Sequence, residues 1–296
     1  MSKATIFRGA ATALITPMTD RGVDYPALGR LIDWQIEQGI DALVIAGTTG
    51  EKSTLSDSEH RAVLEYCMER IAGRVPMIAG TGSNDTAYCL SLSRHACSIG
   101  ADALLVVTPY YNKATQKGLI KTYQIIADAS TKPVIVYNVP SRTGVGIEPA
   151  SYAAMAEHPN IAAVKEANGD ISKIVETAAL VGGRLDIYSG NDDQIVPILA
   201  MGGKGVISTM SNLIPKRTAE LCARFFRGDV AGAAEEQKRL VPLIRALFCE
   251  VNPIPVKAAM AKLGFCGPYI RLPLTEMEPE HALVLYSRMR ELGLIE

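Results

Sequence analysis

Eight short apolar runs recur along the chain, each followed by an amphipathic stretch, and this alternation limits the fold more than any other feature. The runs cover residues 10–15, 42–46, 76–80, 103–107, 133–138, 161–165, 186–190 and 204–208, and are rich in Val, Ile and Ala. They are continuous rather than alternating, the pattern of parallel strands covered on both faces. Between them, Leu28, Leu31, Ile32 and Ile36 fall on one helical stripe, as do Ile171, Ile174, Val175, Ala178 and Ala179. Ser56-Asp57-Ser58-Glu59 reads as a capping box that starts a helix after the second strand. Eight such units predict an α/β fold, a (β/α)8 TIM barrel; a doubly wound open sheet is the competitor.

The barrel units end near Gly228, so the reading divides the chain into a barrel, residues 1–228, and a C-terminal helical extension, residues 229–296. Leu240, Leu243, Ile244 and Leu247 share a face there, with Pro242 marking a kink. Asn252-Pro253-Ile254-Pro255 breaks the chain before a helical stretch from Val256 to Leu263, and Pro279 opens a final helix through about Leu292. The extension packs on the barrel or on a partner subunit.

Charge and cysteine content exclude several classes. Lys and Arg number 30 against 31 Asp and Glu, so no basic excess points to nucleic acid. The six cysteines lie apart without a Cys-x-x-Cys pair, and four scattered histidines offer no zinc spacing. No apolar run reaches the roughly 18 residues of a membrane span. Thr16-Pro17 stands where a signal peptide would carry its cleavage site. A cytoplasmic protein is expected.

In such a barrel the chemistry sits at the C-terminal ends of the strands. Gly47-Thr48-Thr49-Gly50-Glu51 follows the second strand. It is either an anion cradle or a plain glycine-rich turn. Tyr110 and Tyr111 follow the fourth; two adjacent tyrosines cannot both enter one mouth, so one either reaches another subunit or packs at the rim. Tyr137 ends the fifth strand, and Arg142 lies just beyond it. A phenol there can relay protons and an arginine fork can hold a carboxylate. Lys165 ends the sixth strand beside Glu166. Pointing inward, it is a desolvated amine able to form Schiff bases with carbonyl compounds; pointing outward, it is a structural ion-pair partner. No Walker motif, Gly-x-Ser-x-Gly elbow or metal cluster appears.

Gly47-Thr48-Thr49-Gly50-Glu51, Tyr110-Tyr111, the stretch Tyr137-Asn138-Val139-Pro140-Ser141-Arg142-Thr143-Gly144, Val164-Lys165-Glu166 and Asn252-Pro253-Ile254-Pro255-Val256-Lys257 together resemble the dihydrodipicolinate synthase family. That family belongs to the pyruvate-dependent class I aldolases, with N-acetylneuraminate lyase. The motifs stand in order over nearly the whole chain. The resemblance implies that Lys165 forms a Schiff base with pyruvate, and that the resulting enamine attacks L-aspartate 4-semialdehyde. It implies a proton relay of Tyr137, Thr48 and Tyr111, the last supplied by a neighbouring subunit. Thr48 and Thr49 would hold the pyruvate carboxylate and Arg142 that of the semialdehyde, while Gly190 and Ile207 would line the pocket. No metal or organic cofactor is implied. Assembly as a homotetramer, a dimer of dimers, is implied.

Sialic-acid lyases tend to carry a serine near the position of Thr49 and to lack the arginine, so both features favour the synthase. A 2-keto-3-deoxy sugar-acid aldolase or N-acetylneuraminate lyase is the alternative within the superfamily, and a non-catalytic pyruvate-sensing paralogue the alternative outside catalysis. The resemblance also implies an interfacial lysine-binding pocket, which His60, Asn84 and Tyr110 match. Lys52, Asp57 and Tyr88 depart from it: Lys52 replaces a small residue, Asp57 a frequent histidine, and Tyr88 a glutamate of lysine-sensitive relatives. A degraded site with weak or absent lysine feedback is expected.

Overall fold

The computed structural model describes residues 3–296. The eight predicted runs form eight strands, β1 (Gly9–Ala13), β2 (Ala42–Ile45), β3 (Met77–Gly80), β4 (Ala103–Val107), β5 (Val134–Asn138), β6 (Ile161–Glu166), β7 (Asp186–Ser189) and β8 (Gly205–Ser208). Each pairs in parallel with its sequence neighbours, and β1 pairs with both β2 and β8, so the sheet closes on itself. That closure decides for the (β/α)8 barrel over the open sheet, which would leave two edges. At the seam, Gly205 faces Gly9, and a Cβ on Gly205 would lie 1.8 Å from the Gly9 carbonyl oxygen. Only glycine permits the strands to meet there.

Alternate side chains of the strands build two cores. Ala11, Ala13, Val44, Ile78, Leu105, Ile135, Ala163, Tyr188 and Ile207 fill the barrel interior. Ala10, Leu43, Ile45, Ala79, Val106, Val136, Val164 and Val206 pack outward against the helices. The first predicted stripe is observed: Leu28, Leu31 and Ile32 are buried on helix Tyr25–Glu37. The second is displaced: helix Ile171–Val181 buries Ile174, Thr177 and Val181, while Val175 is exposed. The capping box forms, with Ser56 accepting from the Glu59 N–H and Glu59 accepting from the Ser56 N–H.

A two-stranded hairpin, Met18–Thr19 against Gly22–Val23, lay outside the sequence expectations. Two residues per strand are too few to show periodicity. Beyond the barrel, helix Val230–Leu247 runs through Pro242 and buries Leu240, Leu243, Ile244 and Leu247. Helix Ile254–Lys262 begins two residues earlier than expected, placing Pro255 in its first turn, and helix Pro279–Glu291 closes the chain. These helices share the outer core with the barrel helices. No helix among the described residues is long and apolar enough to cross a membrane.

Candidate active site

Lys165 faces the barrel interior. Strict alternation counted from Ile161, which packs outward, would send Lys165 outward too, but the β5–β6 register shifts between Ile161 and Ala163. This irregularity turns Ala163 and Lys165 inward and sends Val164 and Glu166 to the outer layer. A bulge re-aims one side chain beside a site in the way such irregularities commonly do. Lys165 is 6% exposed and pairs in register with Tyr137 on one side and Tyr188 on the other. Its Nζ lies 4.3 Å from the centroid of the Tyr137 ring. Among the described residues it has no carboxylate within salt-bridge distance; Glu166 has other partners, and buried Asp192 feels the Lys165 charge at longer range.

Glu166 is engaged elsewhere. Its Oε2 accepts from the Tyr152 hydroxyl at 2.7 Å, and its Oε1 accepts from Asn138 Nδ2 and the Asn168 N–H, both at 2.9 Å. Burial pushes its carboxyl up to about 7, against the pull of these donors. The folded state therefore holds this proton to higher pH than the unfolded chain. The associated stability is complete below the ordinary carboxylate range and is lost as pH rises through about 7. Glu166→Gln keeps a neutral hydrogen-bonding group there. Its melting temperature relative to the parent is expected to improve steadily between about pH 5 and about pH 8. Parallel melting profiles across that range would show that Glu166 does not titrate in the folded state.

Gly190 touches the same lysine. A Cβ there would fall 2.7 Å from Ala167 Cβ and 3.2 Å from Lys165 Cε, so a side chain at Gly190 would displace the amine. Ile207 is buried in the interior cluster that also holds Tyr137. Asp192 is buried after β7; its Oδ2 accepts from the Thr209 and Met210 N–H groups at 3.1 and 2.8 Å and so ties β7 to the end of β8.

The Gly47–Glu51 loop continues from β2. Thr48 is half-buried and Thr49 buried, and Ala46 and Glu51 take left-handed backbone conformations at φ 52° and 56°. The C-terminal extension holds this loop. Asn252 Nδ2 donates to Thr49 Oγ1 at 3.0 Å, and the Lys257 ammonium pairs with the Glu51 carboxylate, their side chains 1% and 2% exposed. The same Asn252 offers its carbonyl oxygen to Arg142 Nη2 at 3.0 Å. Arg142 sits on the short helical turn Pro140–Thr143 at the mouth, with its guanidinium uncommitted to carboxylates among the described residues. Sequence reasoning included residues 252–257 among the family motifs but assigned them no role; their contacts span more than two hundred residues of chain.

Tyr111 stands apart. It is 89% exposed at φ 75°, whereas Tyr110 packs against the interior cluster. Within one chain Tyr111 therefore points away from the barrel interior that holds Tyr137.

The six residues of the expected lysine pocket are tied up in separate contacts. Lys52 donates to the Gly82 carbonyl, and His60 Nε2 lies 3.0 Å from the Gly80 carbonyl oxygen. Burial pushes the Lys52 amine down to about 8 and, with Lys52 nearby, the His60 ring down to about 4. Asp57 pairs with Arg61 at 2.9 Å; burial, and then the neighbouring Asp57 carboxylate, raise the Tyr88 phenol above its usual range. The Asn84 carbonyl receives the Asn112 amide at 3.0 Å.

A barrel with an inward lysine on its sixth strand, a tyrosine beside it and a threonine-rich loop at the mouth matches one family in detail. The model of the dihydrodipicolinate synthetase family aligns with residues 6–291. The chain belongs to this family. It is 51% identical over 290 residues to the 4-hydroxy-tetrahydrodipicolinate synthase of Acetivibrio thermocellus, covering 98% of this chain and 99% of the relative. It is 50% identical over 290 residues to the enzyme of that name from Caldicellulosiruptor saccharolyticus, covering 98% of each. Among solved structures, the dihydrodipicolinate synthase of Thermotoga maritima superposes with a TM-score of 0.96 at 41% identity, over 98% of this chain and all of that one. The dihydrodipicolinate synthetase activity expected from the sequence, a lyase reaction of lysine and diaminopimelate biosynthesis, is thus the activity of this chain.

Proposed function

We propose that Lys165 carries the reaction as the Schiff-base nucleophile, condensing pyruvate with L-aspartate 4-semialdehyde to 4-hydroxy-tetrahydrodipicolinate. The observation that supports this most is the inward, buried amine above the Tyr137 ring with no carboxylate within salt-bridge distance among the described residues. The amine adds to the pyruvate ketone and water leaves, giving an iminium. The iminium draws electrons from the adjacent methyl, which loses a proton and becomes an enamine carbon. That carbon bonds to the aldehyde of the semialdehyde. The semialdehyde's own amine then attacks the iminium carbon, closing the six-membered ring and releasing the Lys165 amine.

In this reading Tyr137 moves protons to and from the forming alcohols with Thr48, and Tyr111 of a second subunit completes the relay. The exposure of Tyr111 supports that delivery, as do the exposed apolar side chains of Leu272, Val175, Leu180 and Met201, which suit a homotetramer of paired dimers. The Thr48–Thr49 loop receives the pyruvate carboxylate, Arg142 that of the semialdehyde, and Gly190 and Ile207 shape the floor. Residues 1–228 would form the catalytic barrel and 229–296 an extension packed on it, a division supported by the shared outer core. All six cysteines are free thiols, which supports a reducing cytoplasmic setting.

A coupled assay with pyruvate and aspartate semialdehyde, N-acetylmannosamine or glyceraldehyde in turn tests the substrate. Preference for the semialdehyde is expected; preference for either of the others would overturn the assignment. Lysine is expected to inhibit weakly or not at all. Lys52 places an ammonium at the Gly82 carbonyl, where it repels a cationic effector, and Asp57 is paired with Arg61. Inhibition well below millimolar lysine at saturating pyruvate would contradict this.

A further inference from the structure

We propose that Asn252, on the C-terminal extension, is a positioning residue that aims the Thr49 hydroxyl at the pyruvate carboxylate, while its main-chain carbonyl separately anchors Arg142. The inference rests on the reading of the Thr48–Thr49 loop given above. A threonine hydroxyl has one proton to donate and two lone pairs to accept with. An amide nitrogen can only donate, so the Asn252 Nδ2 contact at 3.0 Å occupies a lone pair of Thr49 Oγ1 and leaves the proton for another acceptor. Thr49 is buried, and among the described residues the Asn252 amide is the hydroxyl's only hydrogen-bond partner. A buried hydroxyl proton held away from protein acceptors on a threonine-rich loop is set to meet an anionic oxygen.

Two further observations separate this arrangement from ordinary packing. Asn252 Oδ1 is buried without a hydrogen-bond partner among the described residues. An unmet buried acceptor costs about 1–3 kcal/mol, which folding alone gives no reason to retain. The loop is also held at its far end by the same segment: Lys257 pairs with Glu51, two residues beyond Thr49. One short segment thereby fixes both the orientation of the hydroxyl and the path of the loop that bears it.

The two contacts of Asn252 come from different parts of the residue, which makes the inference separable. Replacing the side chain removes the Thr49 bond but keeps the carbonyl that receives Arg142. Steady-state kinetics of Asn252→Ala and the isosteric Asn252→Asp, with melting temperatures, provide the test. For Asn252→Ala, KM for pyruvate is expected to rise roughly five- to tenfold, with KM for the semialdehyde changed less than about twofold. Asn252→Asp is expected to raise the pyruvate KM by a further factor of about ten. Its carboxylate would accept the Thr49 proton and repel the substrate's charge. In a Thr49→Val background, Asn252→Ala should add nothing. Equal rises in both KM values, an unchanged pyruvate KM, or additive effects with Thr49→Val would overturn the inference. If Asn252→Ala fails to fold, the shape-preserving Asn252→Asp still decides it. Borohydride trapping of the parent enzyme with pyruvate separates the two levels. A parent without an adduct on Lys165 defeats the reading of the site. A trapped parent with unselective Asn252 variants defeats the positioning role alone.

Discussion

Replacing Lys165 by alanine is expected to lower turnover by about 10⁴- to 10⁶-fold, the scale seen when a covalent nucleophile is removed. The effect is large because the lysine supplies both the covalent attachment and the electron sink; without the iminium, nothing in the barrel interior acidifies the pyruvate methyl. Folding should be little affected. Lys165 touches the Tyr137 ring and makes no ion pair within salt-bridge distance among the described residues, so its removal breaks no close ion pair. A melting temperature near the parent's, together with the loss of turnover, is the expected pair of results. A variant that keeps more than about a hundredth of parental turnover would show that another group forms the intermediate.

Lys257→Ala is expected to act in the opposite way, on stability first. Its ammonium and the Glu51 carboxylate are almost completely buried against each other. Burial pulls the Lys257 amine below its usual range and the Glu51 charge pulls it back up. Removing one member leaves an unpaired buried carboxylate, at a cost of about 3–5 kcal/mol. For a chain of this size that corresponds to a fall in melting temperature of roughly 10 °C. Because Glu51 ends the loop carrying Thr48 and Thr49, the pyruvate KM should rise as well. The double variant Glu51→Gln with Lys257→Met removes both charges and should regain most of the lost stability. A single variant as stable as the parent would mean that the pair does not hold the loop.

These two lysines show how much of the molecule could be read in advance. The strands were legible to within one or two residues because continuous Val, Ile and Ala runs leave few alternatives, and barrel closure follows from eight of them in series. Lys165 was legible as a residue ending a strand. Its direction was not, because the register shift after Ile161 reverses the face that alternation would assign. Tyr137 lies on the partner strand of that shifted pair, where Val134, Ile135, Val136 and Tyr137 alternate without interruption, and it faces inward as its position suggested. The roles of Asn252 and Lys257 were not legible from spacing. Their partners Thr49 and Glu51 lie 203 and 206 residues away, and neither pairing leaves a local pattern. Val175 misled for a different reason: an apolar residue beside a buried stripe reads as core, whether or not another surface covers it.

The most direct test of the account is to incubate the enzyme with pyruvate, reduce with borohydride, and locate the modified residue by peptide mass spectrometry. One reduced pyruvate adduct per chain, on the peptide containing Lys165 and on no other lysine, is the predicted result. An unmodified chain, or an adduct on Lys257 or Lys52 with Lys165 free, would contradict the assignment of the site.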